Sequence, residues 1–188
     1  MRKSETTPIS GVNFAKFTDI KPSFTETPKS SFTRAQKEGL RYEKKVFEYL
    51  KKLLIDEKDE TFEIKISPWI MFRTSNDSFS RIRFCQPDTV LISKDFSKII
   101  ICEVKYQHTN EAWKQLRLLY EPVLRFMFPS SQIACLEICR WFDPHISFSE
   151  HFYYAENPLA AVVEQLGVHI YRPRKKSSRS KTVSSSHS

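Results

Sequence analysis

Glycine is scarce: Gly11, Gly39 and Gly167 are the only three in 188 residues. A phosphate loop or a dinucleotide fingerprint needs several glycines within a few positions, so that the backbone can approach phosphate oxygens. The scatter excludes P-loop NTPases and Rossmann dehydrogenases. No apolar run approaches about 18 residues, so no membrane-spanning helix is expected. The opening MRKSETTPIS has no apolar core, so no secretory signal is expected there. Cysteine is limited to Cys85, Cys102, Cys135 and Cys139, three of them inside apolar runs and none in a CxxC pair. They read as buried free thiols of a reducing, intracellular setting rather than as a zinc or iron–sulfur site. The histidines, at 108, 145, 151, 169 and 187, form no HxxxH or HxH pair.

What is present is aromatic bulk and positive charge. Fifteen Phe, seven Tyr and three Trp in a chain that is 40% hydrophobic are enough for one packed domain. The formal charge is +8, but six basic residues and no acid fall between Arg172 and Ser188, leaving +2 for the rest. That Ser-rich end, taken as residues 173–188, is expected to be disordered, adding sequence-independent phosphate affinity. Residues 1–30, rich in Ser, Thr and Pro, read as a flexible arm, and residues 31–172 as the folded domain.

Within that domain, Thr33 and Gln36 have capping-box spacing, starting a helix that runs to about Leu54. Leu40, Phe47, Leu50 and Leu54 form its apolar stripe, and Glu43 falls inside the stripe. An acid facing inward needs a partner. Strands are expected at 61–66, with Trp69–Phe72 as a continuation, at 81–92, and at 98–106 after a turn at Ser93–Ser97. The last is apolar throughout, as in a strand buried on both faces. Thr109 or Asn110 caps a long helix that Pro122 kinks or divides. Residues 132–141 form another strand, Asn157 to Gly167 a short helix and 168–171 a final strand. The aromatic segment around His151 reads as an edge strand, and His108 as a loop residue. The fold class is α/β, a mixed sheet flanked by helices.

Five acid-x-Lys triplets occur, at Asp19, Glu43, Asp56, Glu63 and Glu103. Only Glu103-Val104-Lys105 ends a buried strand and follows a Pro-Asp pair, Pro87-Asp88, at hairpin distance. Period-two alternation puts Glu103 and Lys105 on one face. Charges on so apolar a strand break the local pattern, which is expected at functional sites. The simpler alternative is a structural ion pair.

Pro87-Asp88, Glu103-x-Lys105, Glu43 on the preceding helix and Gln115 on the following one together resemble the PD-(D/E)XK nuclease superfamily. The match covers roughly residues 33–141, and the implied fold is a restriction-endonuclease-like αβββαβ core. The Gly39-x-x-x-Glu43 element and Gln115-Leu116 are similar to the RecB and lambda-exonuclease-like branch. That branch has a tyrosine four residues after the glutamine, whereas here Leu119 holds that place and Tyr120 follows it.

The resemblance implies a Mg²⁺-dependent DNA nuclease, with Mn²⁺ able to substitute. Asp88, Glu103 and the Val104 carbonyl would hold the metal, and Glu43 would complete the site directly or through water. Lys105 would orient or deprotonate the attacking water or stabilise developing charge. Gln115 would position Lys105, a water or the phosphate. Arg34, Lys37, Lys44, Lys45, Arg81, Arg83, Lys114, Arg117 and Arg125 could line a phosphate groove. Two other expectations stand beside this one: a homodimeric junction-resolving or sequence-specific endonuclease, and an inactive nucleic-acid-binding or assembly protein.

Overall fold

The computed structural model describes residues 8–22, 32–56, 62–76, 81–141, 152–154 and 169–173. The chain is α/β. Strand β1 spans Val12–Thr18 and helix α1 Arg34–Asp56; β2 (Phe62–Ile66), β3 (Trp69–Thr74), β4 (Arg83–Cys85), β5 (Thr89–Ser93) and β6 (Lys98–Gln107) follow. Then come α2 (Asn110–Lys114), a π-helical turn (Gln115–Tyr120), α3 (Glu121–Met127), β7 (Gln132–Trp141), β8 (Phe152–Tyr154) and β9 (His169–Pro173). Strands β1, β3 and β4 form an antiparallel sheet. The other sheet, in order β2-β5-β6-β7-β9-β8, is mixed: β6 and β7 run parallel and the remaining pairs antiparallel.

The capping box at the start of α1 forms in both directions. Thr33 N–H donates to Gln36 Oε1 at 2.8 Å, and Gln36 N–H donates to Thr33 Oγ1 at 3.3 Å. The buried stripe differs from the expected one. Leu40 is 48% exposed, and Tyr42, Val46, Phe47 and Leu50 pack on the sheet instead. Residues 34–41 include no buried position, and the inward face begins at Tyr42. The Leu54 side chain lies outside the described residues.

Strand β6 is enclosed on both sides, as its composition demands. Ile100, Cys102 and Val104 meet α1, while Ile99 and Ile101 meet Leu116, Tyr120, Val123 and Leu124 of the second helical layer. Each such buried aliphatic side chain contributes about 1.5–3 kcal/mol relative to exposure. Truncating Ile101 to Ala would therefore cost about 2–5 kcal/mol. All four cysteines are free and buried. Among the described residues, no helix is long and apolar enough to cross a membrane.

Two expected strands divide, because each meets a proline. The continuation from 61–66 into Trp69–Phe72 breaks at Ser67-Pro68, where Ser67 has φ +46°, and the segment 81–92 breaks at Gln86-Pro87. Proline cannot donate to a ladder, so both ribbons leave one sheet and enter the other at the same level. Two bonds tie the corner: Ser67 N–H to the Asp88 carbonyl at 2.8 Å and Gln86 Nε2 to the Ser67 carbonyl at 2.9 Å. Among the described residues, five strands thus stand between α1 and α2 where three were expected.

Part of the segment expected as a flexible arm is a strand. Val12, Ala15 and Phe17 of β1 pack on the second core, and Phe17 contacts Phe128 with ring centroids 6.4 Å apart. Pro122 supplies a further anchor. Lacking N–H, it cannot bond the Leu118 carbonyl one turn back, and Ile9 N–H takes that carbonyl at 2.9 Å. The same proline follows the π turn, in which Glu121 N–H reaches back five residues to Leu116. Pro122 therefore begins α3 behind a widened turn. The expected helix at 157–167 and the tail at 174–188 lie outside the described residues. Strand β8 takes the sheet edge expected of the aromatic segment.

Candidate active site

The proline corner sets Asp88 immediately before β5, where β5 and β6 diverge. Its Oδ2 accepts a 2.6 Å hydrogen bond from Val104 N–H, fixing the carboxylate against the middle of the Glu103-Val104-Lys105 triplet. Glu103 is 2% exposed, and its Oε1 pairs with Lys105 Nζ. Its Oε2 is buried with no hydrogen-bond partner among the described residues. Glu43 reaches the same place from α1. The expected inward acid thus lies within electrostatic reach of Asp88, Glu103 and Lys105.

Electrostatics shows how closely these groups are joined. Burial pushes Glu103 up to about 8, Asp88 and Glu43 add to the rise, and Lys105 opposes it. Glu43 is pushed up to about 7 by burial and Asp88, again against Lys105. Asp88 is raised by burial, with Lys105 and the Val104 N–H holding it down in part. Burial pulls Lys105 down, but Glu103, Asp88 and Glu137 outweigh that effect and hold it above its ordinary value. Three acids from three elements therefore act on one ammonium through their charge, and Glu103 alone pairs with it directly among the described residues. A simple ion pair would need only one of them.

Gln115 does not touch Lys105 directly. The π turn lengthens the local repeat to about five residues, which brings Tyr120, not Leu119, onto the Gln115 side. Gln115 Nε2 donates to Tyr120 Oη at 3.4 Å, and Tyr120 Oη donates to the Gln86 carbonyl at 3.2 Å. The glutamine thus braces the corner that carries Asp88. Gln115 Oε1 is buried with no partner among the described residues. Tyr120 is raised well above the usual phenol range by burial and by the charges of Glu103 and Asp88.

One participant was not singled out by its local sequence. Register pairs Glu103 with Glu137 across β6 and β7, so both project from one face of the sheet. Glu137 Oε2 bonds His108 Nδ1, and Glu137 Oε1 accepts from Thr109 N–H at 3.3 Å. Both side chains are fully buried, so His108, in the loop between β6 and α2 as expected, turns inward. Burial raises Glu137, while His108, Thr109 and Lys105 pull against that rise. An acid in an apolar strand beside a strand with a misplaced acid was the available signal.

Of the nine cations expected to line a phosphate groove, four are engaged by acids within their own helices. Arg117 and Arg125 both pair with Glu121, Lys114 pairs with Glu111 at 3.6 Å, and Arg34 pairs with Glu38 at 3.2 Å. A methyl group at Gly39 would meet nothing within 4 Å, so packing does not require glycine there.

Among the described residues, no group of three or more His, Cys, Asp or Glu side chains stands arranged to hold a metal ion. The donor chemistry still fits a hard divalent cation. All three acids offer oxygen, Glu103 Oε2 is an orphaned buried acceptor, and mutual repulsion disfavours their joint ionisation until positive charge arrives. No protein-family model, curated protein or solved structure matches this chain.

Proposed function

We propose that the chain is a divalent-cation-dependent nuclease that hydrolyses DNA phosphodiesters on a PD-(D/E)XK arrangement, Pro87-Asp88 with Glu103-x-Lys105. One observation carries this reading: Glu43, Asp88 and Glu103, from α1, the corner and β6, converge on Lys105 with Glu103 Oε2 left unsatisfied. Structural ion pairs do not gather surplus buried acid, whereas phosphoryl transfer needs it to hold positive charge at the reacting phosphate.

Asp88 and Glu103 would hold Mg²⁺ or Mn²⁺, with the Val104 carbonyl and Glu43 completing the site. Such a cation polarises a phosphoryl oxygen and acidifies a bound water. The protein's own groups do the rest. Val104 N–H orients Asp88, and Gln115 with Tyr120 steadies the corner behind it. Lys105, held protonated, serves better as a stabiliser of charge on the pentavalent phosphate than as a base. Glu43, beside the divalent cation, would orient the attacking water.

The test is cleavage of linear duplex, circular duplex, single strands, four-way junctions and RNA, with Mg²⁺ and with chelator. Mg²⁺-dependent hydrolysis of at least one DNA form is expected. Attack on linear but not circular duplex assigns an exonuclease. No cleavage of any substrate with either Mg²⁺ or Mn²⁺ would overturn the reading.

A further inference from the structure

Helix α1 gives Glu43 to the acid cluster, and a different flank of the same helix borders a recess that the proposed chemistry leaves unused. Glu38, Arg41, Tyr42 and Lys45 of α1, Tyr106 near the end of β6 and Arg140 near the end of β7 enclose about 290 Å³. Alternation places Tyr106 with Val104 on the α1 face of β6, opposite Lys105. The register of Lys105 with Cys139 sets Arg140 beside Tyr106. On a helix, residues two apart diverge by about 200°, so Arg41 and Lys45 leave α1 on the side away from Glu43.

The lining is suited to an anion with an attached ring. Among the described lining residues, Arg41, Lys45 and Arg140 stand with one carboxylate, Glu38, which Arg34 engages at 3.2 Å. The aromatic wall is built by Tyr42 and Tyr106, which meet edge to face with centroids 6.0 Å apart. Tyr42 is only 6% exposed, and its hydroxyl is buried with no hydrogen-bond partner among the described residues. The Arg140 charge acts on that hydroxyl. A buried O–H without an acceptor, near a guanidinium, is completed by an anionic oxygen.

We propose that this recess binds a nucleotide of a nucleic-acid strand that continues around α1 from the acid cluster. Arg41, Lys45 and Arg140 engage its phosphate, Tyr42 Oη donates to a phosphate oxygen, and the Tyr106 ring stacks on its base. The assignment rests on the nuclease reading for the course of the strand. Going from Glu43 to Arg41 and Lys45, the strand would cross the width of α1, about 10–12 Å.

The experiment is a fluorescence-anisotropy titration of a labelled single-stranded oligodeoxynucleotide with the full chain, in chelator, at several salt concentrations. Arg41→Ala with Arg140→Ala should weaken binding about tenfold or more and flatten the log–log salt slope by about 0.7 for each phosphate the variant no longer neutralises. Tyr106→Leu should weaken it roughly fivefold or more with the slope unchanged, because stacking releases no counterions. Lys98→Ala, at the far end of β6, should bind as the wild type does. Wild-type affinity and slope in the double variant, or an equal loss in Lys98→Ala, would overturn the proposal. The titration involves no cleavage, so the two ideas fail separately. An uncleaving protein whose recess variants lose binding sinks only the nuclease reading, and a cleaving one whose variants bind normally sinks only the recess.

Discussion

Strands β2 and β6 carry the same spelling, Glu63-Ile64-Lys65 and Glu103-Val104-Lys105, and each closes an ion pair between its Glu and its Lys. On β2 the carboxylate is 59% exposed, and beyond the 2.5 Å pair Lys65 only lies over the Phe17 ring, 5.2 Å from its centroid, with no second acid acting on it among the described residues. On β6 the glutamate is enclosed, with Asp88 and Glu43 bearing on it as well as Lys105. The triplet is thus an ordinary surface pair on an outer strand and a strongly coupled site in the middle of the sheet. Position in the sheet, through burial and the acids it collects, decides which.

The sharpest way to break that comparison is to neutralise both glutamates. Glu103→Gln should lower Mg²⁺-dependent cleavage by roughly 10³-fold, whereas Glu63→Gln should stay within about twofold. Stability should move the other way. Without cation, Glu103→Gln should melt no lower than the wild type at pH 8, because it removes a carboxylate whose ionisation the fold resists. Equal losses of activity at the two positions would erase the distinction. Lys105→Ala comes next, with a loss of about 10²- to 10³-fold in rate. Its melting temperature should fall increasingly as pH rises, since the three acids lose the cation that acts on them. Lys65→Ala should show neither effect.

A pH series sharpens the comparison without mutation. Glu103 at about 8 and Glu43 at about 7 retain protons in the fold that an ordinary carboxylate sheds near 4.5. Between those values the folded chain binds more protons than the unfolded one, so stability falls as pH rises. In chelator, the melting temperature should drop from about pH 5 to pH 8, and saturating Mg²⁺ should flatten the drop. A flat or rising profile in chelator would count against the coupled site. The smallest expected effect is at Glu137, which acts on Lys105 from behind. Glu137→Gln should reduce cleavage about tenfold and shift its pH profile, while Mg²⁺ affinity changes little. An unshifted profile would leave Glu137 a purely structural partner of His108.

Several of these contrasts could be read in advance. Thr33 and Gln36 announced the start of α1, and the uniform run at 98–106 announced a strand buried on both faces. The choice of Glu103 among five acid-x-Lys triplets followed from the same run, because a charge inside it needs a reason. Other features were not legible, for physical causes. Leu40 has the right spacing but sits in the first turns of α1, where no position is buried, and helical period says nothing about where packing begins. The prolines at 68 and 87 were visible, but not that both ribbons would change sheets there and present Asp88 at the corner. The π turn shifts Gln115's partner from position 119 to 120, a change hidden from any reading at a fixed repeat. Glu137 is meaningful only through its register with Glu103, which pairing rather than local sequence decides.

The central claim is that Asp88 and Glu103 hold a cation for phosphodiester hydrolysis. Its most direct test compares wild type and Asp88→Asn for Mg²⁺-dependent DNA cleavage, with cation binding followed by calorimetry on the same preparations. The wild type should bind the cation and cut, and Asp88→Asn should lose both while melting at the same or a higher temperature. A wild type that binds no divalent cation, or an Asp88→Asn chain that cuts at the wild-type rate, would contradict the account.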